Sequence, residues 1–422
     1  MPIQKTDRTT TWSVDANDET WTLAEKATIT VAGQDGISEN GFAGSHIEVL
    51  GDIEISGDAA GVRLTGAKSS VLIGEHGRID GKTAELGILA GMGDFSIVNR
   101  GVIDIGDTAV YAGMTGELAN YGKITGGDNG VYLDGAGSEI RNFGSISSAG
   151  TGINAEAGGS RIENAKGAEI SGNVYGITVD GAGTMEIVNK GIVRGTVDGI
   201  NGGIGDLTVM NFGKIFGGVS LGDGDDVIDS RKGVIKGAIE GGAGRDTFII
   251  SNSHTKIIEV DYENLVDEVR STASYKLTAN VEDLTLLGKA DIDATGNEGD
   301  NTLKGNKGDN TLLGMAGKDF LTGGRGDDVV DGGIDVDVFL FGRKDGSDVI
   351  RNFEDAPTGS ISTACSARKP SMHSTSVPRG VTWSSTSARA TRSGSKTWTS
   401  PTSPSTTSFC WPDRRSHPRE KT

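Results

Sequence analysis

An Asn-x-Gly element returns at a nearly fixed interval through the first half of the chain, and it limits the possible fold more than any other feature. It stands at Asn99-Gly101, Asn120-Gly122, Asn142-Gly144, Asn189-Gly191 and Asn211-Gly213, with a one-residue variant at Asn164 and Gly167. Successive Asn residues lie 21, 22, 22, 25 and 22 positions apart. Two residues before each Asn is an aliphatic (Ile97, Leu118, Ile140, Ile162, Ile187, Val209), and two after each regular Gly is another (Ile103, Ile124, Ile146, Val193, Ile215). A further series, Val110, Val131, Ile153, Ile177 and Ile200, runs in phase with these. Alternation on such short segments predicts strands with one buried face. A constant repeat, with glycines that allow positive-φ corners, predicts that the strands wind and stack on the next coil. A β-sandwich would not keep six Asn positions in register. The expectation is a parallel β-solenoid over 1–220, with coils of about 22 residues and a buried Asn amide ladder. Earlier coils are looser, with Gly36-Ile37, Gly61-Val62 and Gly87-Ile88 as counterparts. Trp12 and Trp21 are expected to cap the N-terminal end, where an open coil would expose strand edges.

Composition supports a repeat fold over a large globular core. The 422 residues include 67 Gly but only 11 Phe, 6 Tyr and 5 Trp, so the large side chains that fill such a core are scarce. A net charge of -18 argues against nucleic acid or an anionic membrane as partner and suits a cation. No apolar run approaches the roughly 18 residues of a membrane span. Met1–Thr11 has no apolar stretch, so no cleavable secretory signal is expected there.

Parallel β-helices include polysaccharide lyases and epimerases, which cluster acids and bases on one sheet face. Here His46, His76 and His254 are isolated. Tyr111, Tyr121, Tyr132 and Tyr175 read best as packing or stacking residues, and Asp104, Asp128, Asp134, Asp180 and Asp198 as solvated turn acids. No acid–base pair stands out, so a structural solenoid is the leading reading and a polysaccharide-acting enzyme the alternative.

From Gly296 the period changes to nine. Units begin at Gly296 (GNEGDNTLK), Gly305 (GNKGDNTLL), Gly314 (GMAGKDFLT), Gly323 (GGRGDDVVD) and Gly332 (GGIDVDVFL). Six residues make a turn and three a short strand, so two units should close one coil of a thin roll. Leu303, Leu312, Leu321, Val330 and Phe339, at the eighth position, would fill its interior. Glycines let the turn fold tightly with its carbonyl oxygens inward, and the sixth-position carboxylate adds charge. Oxygen ligands of this kind are what Ca²⁺ takes. Over roughly 221–356 the chain resembles the RTX (repeats-in-toxin) calcium-binding, type I-secreted family, in which each ion sits between a unit and the next but one.

That resemblance places metal ligands at the sixth positions Asn301, Asn310, Asp319, Asp328 and Asp337, with Asp348 as a further one after a two-residue slip. The fifth-position Asp300, Asp309 and Asp327 are added candidates. Asn301 and Asn310 keep an oxygen but lose the charge. Asn297, Asn306 and Met315 replace the second glycine, and Asp335 replaces the third in the last unit. An earlier pair of units places Asp226 and Asp246 20 residues apart, close enough to one coil for a shared Ca²⁺. Residues 221–292 thus read as a junction, with a strand module near Ser274–Leu277 and Val281–Leu287, and 293–356 as the RTX β-roll.

Beyond residue 356 the text changes character. Seven of 8 prolines, both cysteines and ten Lys or Arg against two Asp or Glu fall there. Read one base out of frame, Thr399–Pro412 can encode an acidic, alternating segment like the earlier chain, so 357–422 is expected to be a frameshifted, disordered tail. The resemblance implies export as an unfolded chain through type I machinery that reads a C-terminal signal, and such a tail would have lost that signal. External calcium reaches the roughly 10⁻⁴–10⁻³ M at which extracellular modules bind, so folding would be coupled to arrival outside. The functional expectation is a secreted, extracellular, non-enzymatic protein binding several Ca²⁺ ions, with a surface, adhesin or matrix role and a polysaccharide or cell surface as target.

Overall fold

The computed structural model describes residues 2–91, 93–260, 265–342 and 344–352, and the backbone of three short strands at Ser360–Thr363, Ser371–Met372 and Thr382–Ser384. Among the described residues there is no helix. The chain divides into two compact units, Met1–Arg270 and Ser271–Thr422.

In the first unit a full coil contributes three strands, for example Phe95–Asn99, Val102–Ile105 and Thr108–Ala112, followed by Gly116–Asn120, Lys123–Gly126 and Asn129–Leu133. Each strand pairs in parallel with its counterpart one coil on. Ile97 lies opposite Leu118, Ile103 opposite Ile124, and Val110 opposite Val131. The three aliphatic series of the sequence are therefore three interior rows, every member buried. Each buried Ile or Val contributes roughly 1.5–3 kcal/mol of apolar transfer, and the row repeats that gain on every coil. The looser early coils share the register, with Ile37 against Val62 and Ile88 against both Val62 and Val110. The variant corner from Asn164 to Ile170 is two residues longer than the regular one and turns at Gly167 (φ +89°), so Ile170 stays in its row between Ile146 and Val193.

The Asn residues form the expected ladder. Nδ2 of Asn99 donates to Asn120 Oδ1 at 2.8 Å, and the chain of bonds runs through Asn142, Asn164 and Asn189 to Asn211. Asn211 passes the last bond to Ser230 Oγ at 2.9 Å. Each side-chain oxygen of the regular elements also accepts the N–H of the glycine two residues on, as Asn99 does from Gly101. The amide thus holds both the corner and the next coil. Trp12 and Trp21 lie buried in the first coil, rings 5.5 Å apart and edge to face, opposite Ile37 and Ile47 of the second. Beyond residue 220 the rows continue without a break, through Ile228 and Phe248 on one side and Ile239 and Ile257 on another.

The second unit is a thinner coil with two strands per turn. Leu284, Leu303, Leu321 and Phe339 stack in one row, and Ala294, Leu312, Val330 and Ile350 in the other. The nonapeptide register pairs each unit with the next but one, 18 residues away, so two units close a coil. Tyr275–Lys276 and Asp283–Leu286, outside the nine-residue text, already pair in parallel with the roll, 19 residues from their partners. The backbone of Ser360–Thr363 and Ser371–Met372 adds to the two rows in parallel. The backbone of Thr382–Ser384 pairs in parallel with that of Ser360–Ser362, and the rest of the tail expected to be frameshifted and disordered lies outside the described residues.

Candidate metal centre

The turns of the roll place its sixth-position side chains on two rows, Asn301–Asp319–Asp337 on one side and Asn310–Asp328–Asp348 on the other. Each carboxylate reaches back one coil. Main-chain N–H groups of Asn301 and Asn310 donate to Oδ1 of Asp319 and Asp328, both at 2.8 Å. Those of Asp319 and Asp328 donate to Oδ1 of Asp337 and Asp348, both at 3.1 Å. Asp348 joins its row despite the slip, 20 residues after Asp328. The fifth-position carboxylates bond in the opposite sense and stay exposed. Asp300, Asp309 and Asp327 accept from the N–H of Lys318, Asp327 and Ser347, one coil further on. Fifth and sixth positions therefore stitch each turn to both neighbours.

The remaining carboxylate oxygens carry the chemistry. Oδ2 of Asp319 and of Asp328 is buried and accepts no hydrogen bond. A Cβ added to Gly314 would overlap both Asp319 Oδ2 and the Gly332 carbonyl oxygen, and one added to Gly323 or Gly332 would overlap Oδ2 of Asp328 or Asp337. The first glycine of each unit thus leaves room for an oxygen-only pocket. Burial, reinforced by neighbouring acids, pushes the Asp319 and Asp328 carboxyls up to about 7 and Asp348 up to about 6, and raises Asp337. An oxygen-rich, donor-poor, acidic pocket fits a hard cation such as Ca²⁺. Among the described residues no three His, Cys, Asp or Glu side chains converge on one point. The roll offers single carboxylates and main-chain carbonyls, coil after coil.

Asn301 and Asn310 are used differently. Their Oδ1 atoms accept from Asn297 and Asn306 N–H at 2.8 Å, and Nδ2 of Asn310 donates to Ile292 carbonyl oxygen at 2.7 Å. Nδ2 of Asn297 and Asn306, standing where glycine is usual, also donates to carbonyls of the preceding coil. At this end an amide N–H occupies the carbonyls. Met315 and Asp335, the other departures from glycine, keep the left-handed backbone at φ +91° and +80°.

The family model for the RTX calcium-binding nonapeptide repeat, four copies to a match, fits residues 295–330 and again 304–339. The chain carries RTX calcium-binding repeats. Comparison with curated proteins and with solved structures gave no match. The RTX match stops at Phe339, so Asp348 and all acids of the first unit lie beyond it.

The first unit nevertheless repeats the same stitch. N–H groups of Leu207, Asp226 and Asp246 donate to Oδ1 of Asp226, Asp246 and Asp267 at 2.6, 2.9 and 2.8 Å. The N–H groups of Asp225 and Arg245 donate to Asp206 and Asp225 as the fifth positions do in the RTX roll. Oδ2 of Asp226 and of Asp246 is buried and accepts no hydrogen bond, and burial lifts these carboxyls to about 8 and about 7. Sequence reading found Asp226 and Asp246 but missed Asp206, Asp267 and Glu259. The Gly205-Asp206 pair and the spacing of Ile239 and Ile257, 18 residues, were the available signals.

Proposed function

We propose that the chain is a non-enzymatic, calcium-folded extracellular protein that is exported unfolded and coils when it meets external calcium. The single observation that carries this reading is the buried, donor-less Oδ2 of Asp319 and Asp328, set over glycine at the coil period. Asp319, Asp328, Asp337 and Asp348 are the principal ligands, with the carbonyls of their turns. Asn301 and Asn310 mark weaker places, the exposed Asp300, Asp309 and Asp327 add field, and Asp226 and Asp246 are the corresponding acids of the first unit. Bound calcium supplies the positive charge that lets buried carboxylates stay ionised beside one another. Without it their mutual repulsion and desolvation oppose coiling. The regular solenoid, a stiff and acidic surface, suits a surface, adhesin or matrix role, with a polysaccharide or cell surface as target. Type I machinery as the export route rests on the RTX repeats.

The test is a calcium titration of the full chain by circular dichroism and thermal melting, with chelator as the reference. A rise in β signal and melting temperature at millimolar calcium supports the reading; identical spectra and melts in calcium and chelator refute it.

An alternative, a polysaccharide-acting enzyme, has one observation in its favour. Tyr111 and Tyr132 stack at 5.2 Å on the solenoid surface, and Tyr111 Oη donates to Asp134 at 3.2 Å. Turnover of a uronate polymer, lost in Asp134→Asn, would establish it.

A further inference from the structure

The residue after each ladder asparagine stands on an outer corner of the solenoid, and the charge of this corner runs against that of the chain. In coil order these residues are Arg100, Tyr121, Phe143, Ala165, Lys190 and Phe212. The ladder fixes their place. The N–H groups of Tyr121, Phe143, Lys190 and Phe212 each donate to the carbonyl oxygen of the asparagine one coil back, all at 2.7 Å. Buried amides of Asn99 and Asn189 also hold the main-chain carbonyls of Lys123 and Lys214, beside the corner, at 3.2 and 3.3 Å. The side chains are left outside, and Tyr121, Phe143 and Phe212 are 47, 44 and 43% exposed. Arg100 lies over the Tyr121 ring at 4.9 Å, Tyr121 stacks on Phe143 at 4.7 Å, and Lys232 lies over Phe212 at 5.6 Å. Next along the corner after Phe143 comes Ala165, too small to cover the other face of that ring.

The whole chain carries a charge of -18, yet this corner is cationic. On the sheet faces Arg78, Arg141, Arg161 and Arg194 each pair with an acid. At the corner Lys190 pairs with Glu163 and Arg231 with Asp229. Arg100, Lys123, Lys166, Lys214 and Lys232 are exposed and form no ion pair among the described residues. Parallel coils rise about 4.8 Å each, so the six coil steps from Arg100 to Lys232 make a row of roughly 29 Å.

A straight row of unneutralised cations interleaved with exposed rings is a surface for a linear polyanion. Charge spacing selects which one. Duplex DNA carries a charge about every 1.7 Å of its axis and a single strand one about every 3.4 Å, denser than a row with at most one free cation per coil. The acidity of the rest of the chain repels so dense a polymer. A polysaccharide with one carboxylate or sulfate on each sugar, or on every second sugar, is sparser. The C–H face of a sugar ring also packs on an open aromatic face such as that of Phe143.

We infer that this corner binds an anionic polysaccharide laid along the solenoid axis. The inference rests on the reading of a polysaccharide as target, and names its chemical class and the surface that holds it.

Binding of the full chain, in calcium, to immobilised hyaluronate, dextran sulfate and uncharged dextran tests it. The chain binds a charged polymer, more weakly as salt is raised, and does not bind uncharged dextran. Whichever charged polymer binds tells carboxylate from sulfate recognition. Lys123→Glu combined with Lys214→Glu weakens binding by about tenfold or more without moving the melting temperature. Lys307→Glu combined with Lys318→Glu, the same charge change in the second unit, leaves affinity unchanged. Phe143→Ala weakens binding roughly threefold and leaves its salt dependence unchanged. No binding to either charged polymer, an equal loss in the two lysine pairs, or tighter binding to single-stranded DNA than to both polymers overturns the inference. Binding to uncharged dextran that ignores the lysines keeps a polysaccharide as target but overturns this corner. The response of the melts to calcium is read separately, so failure here leaves the calcium-folding reading standing.

Discussion

The main-chain N–H of Asn301 donates to Oδ1 of Asp319, 18 residues later, at 2.8 Å, while the other oxygen of the same carboxylate is buried without a donor. One side chain thus both fixes the register of two coils and presents the oxygen that a cation would take. On the proposed reading, metal binding and coil stacking share a single group.

This sharing gives the metal-free chain an inverted pH dependence. In the folded roll, burial raises Asp319 and Asp328 from the ordinary 3.8 to about 7, so the folded state holds more protons than the unfolded state between those values. Stability is then fully present below pH 4 as far as these groups are concerned, and is lost as pH rises through about 7. Melts in chelator should shift upward on going from pH 7.5 to 5. With calcium in excess the gain on acidification should shrink or reverse, because protons displace the ion. A chelated melting temperature that rises with pH over this range would contradict the burial of these carboxylates.

Asn142 sits mid-ladder. It receives Asn120 Nδ2 at 2.8 Å and donates to Asn164 Oδ1 at 2.9 Å and to the Glu169 carbonyl at 3.0 Å. Asn142→Ala strips partners from several buried groups, at about 1–3 kcal/mol for each one left unsatisfied. Asn99→Ala, with no Asn below it in the bonded row, should cost less. Denaturant melts of the two variants give the comparison; equal losses would show that the ladder is not carrying the coils.

Met315 adopts φ +91° where most RTX units carry glycine, and its side chain is 43% exposed, so little burial rewards the strained backbone. Left-handed non-glycine residues cost roughly 1–3 kcal/mol, and glycine returns part of that through its looser unfolded state. Met315→Gly should therefore stabilise the calcium-loaded chain by about 1 kcal/mol, read as a small rise in melting temperature. A fall would mean that the methionine packs more than its exposure suggests.

Much of this molecule could be read from the sequence because a coil repeats its own solution. Ile97, Leu118, Ile140 and Ile162 are visible as a row since each sits at the same distance from an Asn that must be buried and bonded. The same holds for Leu303 and Leu321 beside the nine-residue glycines. Where period and motif part company, reading failed. Ile170 is displaced by two residues relative to Asn164 yet stays in its row, because the longer corner between them turns at Gly167. Asp267 has no glycine motif before it but accepts the N–H of Asp246. The tail reading lies mostly outside the described residues.

Glu259 marks the boundary between the two kinds of knowledge. Periodicity alone determined that these strands coil, which residues face inward, and that acids recur at the corners, since those follow from alternation and from glycine's freedom at positive φ. Only the tertiary structure decided that a glutamate in a glycine's place folds back beside Asp246, and that asparagine amides rather than carboxylates meet the carbonyls at the start of the roll. The physical reason is that a repeat specifies where a backbone goes, whereas the partner of a buried polar atom depends on which coil is stacked against it.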